Sequence, residues 1–167
     1  MASYLDEVTT YLLNHKLMLV TAESCTAGLV AATLGNCVGC ASWLDCGYVT
    51  YSPESKNYML GVNLDTIQQK GLTSEEVAVE MVSGALKNSN ANVAIANTGV
   101  AGPDNGEDGT PAGTVCFAWG FNNGGEIFTY AETVRFKNDR NGVREAAVQY
   151  GLERIPRYHA LLNKDHE

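Results

Sequence analysis

The sequence predicts an α/β fold, a three-layer α/β/α sandwich with a mixed sheet, formed as a single domain over residues 1–167. Three observations carry that reading. Segments with helical spacing of apolar residues alternate with short apolar or β-branched runs. Near the carboxyl end two strand-like segments face each other across Asn122-Asn123-Gly124-Gly125, which makes at least one pair antiparallel. A chain of 167 residues, 45% of them hydrophobic, is long enough to bury one real core and too short for two ordinary ones. The order of the strands does not follow from the sequence.

Residues 3–15 place Leu5, Val8, Leu12 and Leu13 at helical spacing. Residues 17–20 are a short apolar run, expected as a buried strand that enters a loop at Thr21-Ala22-Glu23-Ser24. Thr26 is placed to cap a helix running to about Thr33, with Leu29, Val30 and Leu34 inward. Gly35 and Gly39 break the chain, and 47–51 (GYVTY) is β-branched and aromatic, as a strand requires. Ser52-Pro53 then starts a helix, serine as cap and proline in the first turn, with Lys56 on that turn. Thr73-Ser74-Glu75-Glu76 has capping-box spacing and opens a helix to about Lys87. Residues 92–97 (NVAIAN) form a compact strand with Thr98 at its carboxyl end, followed by a glycine-rich loop over 99–113. Strands over 114–121 and 126–135 make the hairpin. A last helix spans about 139–154, and Pro156 is expected to stop or kink it.

The bulk composition excludes some functions. A net charge of −8 lacks the basic face through which nucleic-acid binders neutralise phosphates. The basic cluster Arg135, Lys137, Arg140 and Arg144 suits a small anion better than a polymer. No apolar run reaches membrane-spanning length, and the amino terminus lacks a basic region before a cleavage site, so a cytoplasmic protein is expected. Cys25, Cys37, Cys40, Cys46 and Cys116 are odd in number and read as reduced thiols. Cys37-x-x-Cys40 with Cys46 offers three thiolates without a fourth zinc ligand. His15, His159 and His166 lie away from the polar loops, leaving a serine–histidine–aspartate triad without a base.

Two segments carry more polar chemistry than packing needs. Thr21-Ala22-Glu23-Ser24-Cys25-Thr26-Ala27-Gly28 joins a strand to a helix start, where free amides could receive an anion or oxyanion. On spacing alone, simple capping by Ser24 or Thr26 is the commoner explanation of such a segment. Tyr51-Ser52-Pro53-Glu54-Ser55-Lys56 stands where a strand ends and a helix begins, the usual ligand side of an α/β sheet. There Lys56 is either a desolvated base or a solvated surface lysine. The 99–113 loop could cradle phosphate through its amides, but it matches no phosphate-loop pattern and carries Asp104, Glu107 and Asp108.

Taken together these segments resemble the CinA-type carboxy-terminal domain family. Ala22 to Gly28 is similar to its AESCTGG signature, Gly47 to Lys56 to its GxVTYSNxxK segment, and Thr98 to Pro103 to its TGIAGP motif. Arg140 and Arg144 match its late R-x-x-x-R element. The resemblance covers about 3–155 and implies a dimeric α/β sandwich without metal or organic cofactor. The activity it implies is deamidation of nicotinamide mononucleotide, a small nucleotide ligand, to nicotinate mononucleotide and ammonia. It assigns Lys56 as base, Tyr51 as its assistant and Ser24 beside them in the catalytic group as a hydrogen-bonding partner of the substrate, with Thr98, Gly99, Arg140 and Arg144 in the substrate pocket.

The resemblance also carries a departure. The family's nucleophile is the second serine of a Gly-Ser-Ser-Ala run ten residues before the tyrosine. Ungapped counting from Tyr51 gives Gly39-Cys40-Ala41-Ser42, so Ala41 holds that place, with Cys40 and Ser42 beside it. An alanine forms no covalent intermediate, which implies impaired or lost activity. The alternative is a non-catalytic paralogue that binds a pyridine nucleotide or another small anion. A third reading is a protein whose remaining role is dimerisation or partner binding.

Overall fold

Residues 3–164 are described by the structure, a computed structural model; His166 lies outside them. Ser3 opens α1 (Tyr4–Asn14) with a capping box, its hydroxyl accepting the Asp6 N–H while the Asp6 carboxylate takes the Ser3 N–H. The chain continues through β1 (Leu19–Glu23), α2 (Leu29–Gly35), a 3₁₀ turn (Cys40–Ser42), β2 (Leu44–Val49), α3 (Pro53–Leu60) and α4 (Leu64–Lys70). It then forms α5 (Glu75–Lys87), β3 (Val93–Gly99), β4 (Thr114–Asn123), β5 (Glu126–Arg135), α6 (Arg140–Glu153) and α7 (Ile155–Lys164).

The sheet order is β2-β1-β3-β4-β5. β1 pairs parallel with β2 and β3, while β3–β4 and β4–β5 are antiparallel. The sheet is therefore mixed, with α1, α2, α6 and α7 on one face and α3, α4 and α5 on the other. The first face carries the bulk: Ile95, Phe117, Trp119 and Phe121 point to it, and the Trp119 indole donates to the Gly151 carbonyl at 2.8 Å. The second is lined by Ala94, Ala96 and Ala118, small enough to let α5 lie close. Every residue of β1 is buried because helices cover both sides of it.

Several boundaries differ from the sequence reading, each for a physical reason. β1 runs on to Glu23, since buried side-chain partners take up the polar groups of Thr21 and Glu23. β2 lies three residues earlier than expected at its start, an edge strand of alternating exposure, and Thr50 and Tyr51 have already left the sheet. Thr26 does not cap α2; Gly28 does, at φ +91°, with no side-chain bond. Ser74 rather than Thr73 caps α5, accepting the Val77 N–H. The seven-residue α4, capped by Asn63, has no fully buried residue and so left no apolar stripe to read. As expected, α6 stops just ahead of Pro156, but the chain resumes a helix at once. Arg154 ends α6, and Pro156 stands in the first turn of α7, where its missing N–H costs nothing. In the hairpin Asn123 pairs with Glu126, leaving a two-residue turn of Gly124 (φ +65°) and Gly125 (φ +97°).

Candidate active site

The carboxyl ends of β1, β2 and β3 meet at one place. Glu23 pairs with Asn97, and the Thr50 N–H reaches past the end of β2 to the Glu23 carbonyl at 2.9 Å. One step further Ser24 comes beside Thr98, and its N–H donates to the Asn97 carbonyl at 3.1 Å. After Thr50 the chain turns, Ser52 caps α3 by accepting the Ser55 N–H, and Lys56 on the first turn points back beneath the strand ends.

Lys56 is fully buried, at 0% exposure. Its Nζ lies 2.9 Å from Ser24 Oγ, 2.5 Å from the Thr50 carbonyl oxygen and 3.3 Å from that of Tyr51. Burial lowers its pKa from 10.5 to about 8, because the ammonium loses its hydration. Burial pushes the Cys25 thiol the other way, up to about 12, so the neighbour of Ser24 is a neutral thiol at physiological pH.

The loop that carries Ser24 is held from three sides. The Glu23 carboxylate, itself buried, accepts the Thr26 hydroxyl (2.6 Å), the N–H groups of Val30 (2.8 Å) and Ala31 (3.0 Å), and the Thr21 hydroxyl at 3.3 Å. The Asn97 amide meets Thr26 Oγ1, its Nδ2 donating at 2.8 Å. Arg144 reaches in from α6, Nε to the Cys25 carbonyl (3.2 Å) and Nη2 to the Thr26 carbonyl (2.9 Å). The amino terminus of α2, read as either an anion site or a simply capped start, is thus already occupied by Glu23.

The other expected residues take separate positions. Tyr51 brings its carbonyl, not its phenol, to Lys56; the ring is exposed and its hydroxyl accepts from Arg140 Nη2 at 3.3 Å. Arg140 Nη1 donates to the Gly102 carbonyl at 2.7 Å, tying α6 to the 99–113 loop. Thr98 is buried and donates to the Leu72 carbonyl at 2.9 Å. Gly99 lines a cleft of about 440 Å³ with Leu72, Thr73, Val100, Glu107 and Asp108. A Cβ at Gly99 would stand 2.6 Å from the Thr114 carbonyl oxygen, so only glycine lets β4 start there. The 99–113 loop binds many of its own amides, Thr110 N–H on Asp108 Oδ1 and Ala112 N–H on Asn105 Oδ1, which removes them as a phosphate cradle.

Ala41 lies elsewhere. It is exposed in the 3₁₀ turn before β2, and Leu44 after it pairs with Leu19, the first residue of β1. Lys56 lies beyond the opposite end of β2, so six strand residues, roughly 20 Å, separate them within the chain. Sequence reasoning passed over Glu23, Asn97, Thr26 and Thr50 as site residues. The available signal was polar residues closing two apolar strands, which buried β-structure tolerates only when each finds a partner.

The CinA C-terminal domain family model matches residues 1–159. The chain is 44% identical over 137 residues to the nicotinamide-nucleotide amidohydrolase PncC of Shigella flexneri, covering 82% of this chain and 81% of that one. It is 43% identical over 152 residues to a putative competence-damage inducible protein of Symbiobacterium thermophilum, covering 88% of this chain but only 36% of that longer protein. The crystal structure of the competence damage-inducible protein A of Klebsiella pneumoniae superposes with a TM-score of 0.88 at 41% identity, over 94% of this chain and 95% of that one. Family match, sequence relatives and fold agree: this chain belongs to the CinA C-terminal domain family.

Proposed function

We propose that the chain hydrolyses the carboxamide of nicotinamide mononucleotide, with Ser24 as nucleophile and Lys56 as its base. The observation that carries this is the 2.9 Å contact between Ser24 Oγ and the buried Nζ of Lys56. A neutral amine has two N–H bonds and one lone pair. The Thr50 and Tyr51 carbonyls accept the two N–H bonds, which leaves the lone pair for the Ser24 hydroxyl. With a pKa of about 8, about a tenth of Lys56 is neutral at pH 7, against fewer than one in a thousand for a solvated lysine.

The reaction follows from that pair. Lys56 takes the Ser24 proton as Oγ bonds to the carboxamide carbon, and returns a proton to nitrogen as the C–N bond breaks and ammonia leaves. Water then attacks the Ser24 ester with Lys56 again as base, releasing the nicotinate product and restoring the hydroxyl. The substrate is a zwitterion, a pyridinium joined to a phosphate. Glu107 and Asp108 line the cleft beside Gly99 and suit the cationic ring. Arg140 is the exposed first residue of α6, against the helix dipole, and suits the phosphate. The PncC relatives, named for this class of reaction, support the same substrate.

The test is ammonia release from nicotinamide mononucleotide, with an active relative as control. Turnover abolished in Ser24→Ala and Lys56→Ala supports the proposal; turnover that survives in Ser24→Ala refutes it. A second reading, a pyridine-nucleotide binder without turnover, is favoured by Ala41 and predicts stabilisation by ligand with no ammonia. Cytoplasmic residence belongs to the proposal, supported by five unpaired thiols. So does the homodimer implied by the family, which light scattering tests.

A further inference from the structure

We infer that the main-chain N–H groups of Cys25 and Thr26 form the oxyanion pocket for Ser24, and that Arg144 is the positioning residue that aims the second of them. The inference rests on Ser24 being the nucleophile and adds the groups that receive the developing negative charge. The two peptide units after Ser24 have their carbonyls engaged and their N–H groups open. The Ser24 carbonyl accepts the Ala27 N–H at 3.0 Å. The Cys25 and Thr26 carbonyls both accept from the Arg144 guanidinium. Among the described residues the Thr26 N–H donates to no acceptor, and the Cys25 N–H meets none beyond its own thiol.

Peptide geometry gives the direction. In a trans peptide the C=O and N–H of one unit point opposite ways, and the only cis bond among the described residues is Gly102–Pro103. Arg144 comes from α6, on the α2 face of the sheet, and pulls the Cys25 carbonyl to that side. The Thr26 N–H of the same unit therefore points the other way, towards the face of α3 from which Lys56 reaches Ser24. The amide directly after a nucleophile is a recurrent donor to the tetrahedral oxyanion in acyl transfer, where a second N–H completes the pocket; here the Thr26 N–H is placed to be that second donor. The helix start plays no part, because Glu23 already occupies the Val30 and Ala31 N–H groups.

In the acylation step the carboxamide oxygen gains the electron pair of its C=O bond as Ser24 Oγ attacks, and the two N–H groups hold it until the C–N bond breaks. Sulfur accepts hydrogen bonds poorly, so a thioamide substrate reports on this pocket in a way that folding does not. The experiment compares nicotinamide mononucleotide with its thioamide analogue in wild type, Arg144→Met and Arg144→Lys. The expected result is a 30- to 100-fold loss of kcat/KM on the amide in Arg144→Met, less than 3-fold on the thioamide, and an unchanged Kd for the nicotinate product. Arg144→Lys, keeping a donor, should fall between. Equal losses on both substrates, or none, overturn the inference while leaving the Ser24 reaction standing. A wild-type protein inert on both overturns the proposed function and this inference together. Should Arg144→Met not fold, a full-length chain joined at Cys37, with the amide of residue 26 replaced by an ester, removes the N–H directly. It must show the same collapse of the amide-to-thioamide ratio.

Discussion

Replacing Lys56 by methionine should remove one titration from two different measurements. Folding lowers the Lys56 pKa from 10.5 to about 8 through burial. Below pH 8 the amine is protonated folded and unfolded, so the folded state carries the whole cost of the buried ammonium. Between pH 8 and 10.5 the folded amine is neutral while the unfolded chain still binds a proton. Stability therefore rises with pH through that window and is flat above it. The 2.5-unit separation corresponds to about 3 kcal/mol. Urea unfolding of wild type and Lys56→Met across pH 7 to 10.5 isolates it, because other titrating groups cancel in the difference. The wild type should gain about 3 kcal/mol on the variant across the window. The same group sets the rate: kcat/KM of the wild type should fall about tenfold per pH unit below 8. A pH-independent stability difference would refute the buried-ammonium reasoning, and an activity midpoint near 10 would refute Lys56 as the base.

Other outcomes follow from the same geometry. Cys25→Ala should keep activity within about tenfold and Cys25 in the native enzyme should resist iodoacetamide, since a thiol pushed to about 12 supplies no thiolate; Ser24→Ala should lose at least about a thousandfold in ammonia release. Glu23→Gln sets an amide NH₂ among four donors and should cost roughly 2–4 kcal/mol in urea unfolding. Thr50 Oγ1 is buried without a partner among the described residues, so Thr50→Val should stabilise the fold by about 1 kcal/mol, read as a higher Tm. Ala41→Ser should leave stability within about 0.5 kcal/mol and kcat within about twofold, because an exposed turn far from Lys56 has nothing to give the reaction. A large gain of activity in Ala41→Ser would instead support the impaired-enzyme reading.

Most of the fold was legible because its signals are local. Ser3, Ser52 and Asp139 cap helices with the side chains that caps require, and the glycines at 124–125 fix the hairpin. What was missed depends on contacts between distant segments. Thr21 to Glu23 read as a loop because polar residues lower strand propensity; only Thr26 and the α2 amides, brought close in the fold, make burial of Glu23 tolerable. The register of β1 on β3 sets Ser24 beside Thr98, and no periodicity encodes it. Lys56 on α3 could be read as either base or surface lysine, and its burial removes the surface reading. The resemblance placed Arg140 and Arg144 in the substrate pocket, whereas Arg144 spends its hydrogen bonds on main-chain carbonyls.

The contrast between Ala41 and Ser24 shows why spacing along the chain is a weak guide to which groups the fold brings to Lys56. Ten residues separate Ala41 from Tyr51, and most of that stretch is the extended strand β2, which carries the chain away from its starting point at about 3.3 Å per residue. Ser24 is 32 residues from Lys56 in sequence, yet β1 and β2 run parallel and end together, so the loop after one and the helix after the other converge. A parallel pair gathers groups that follow the carboxyl ends of its strands and sets apart those that precede the amino ends. In this sheet Ser24, Thr50, Lys56 and Thr98 are on the gathering side, and position 41 is not. A serine at 41 would need a different route to the substrate than this chain provides, while Ser24 already has a desolvated amine in contact with its hydroxyl.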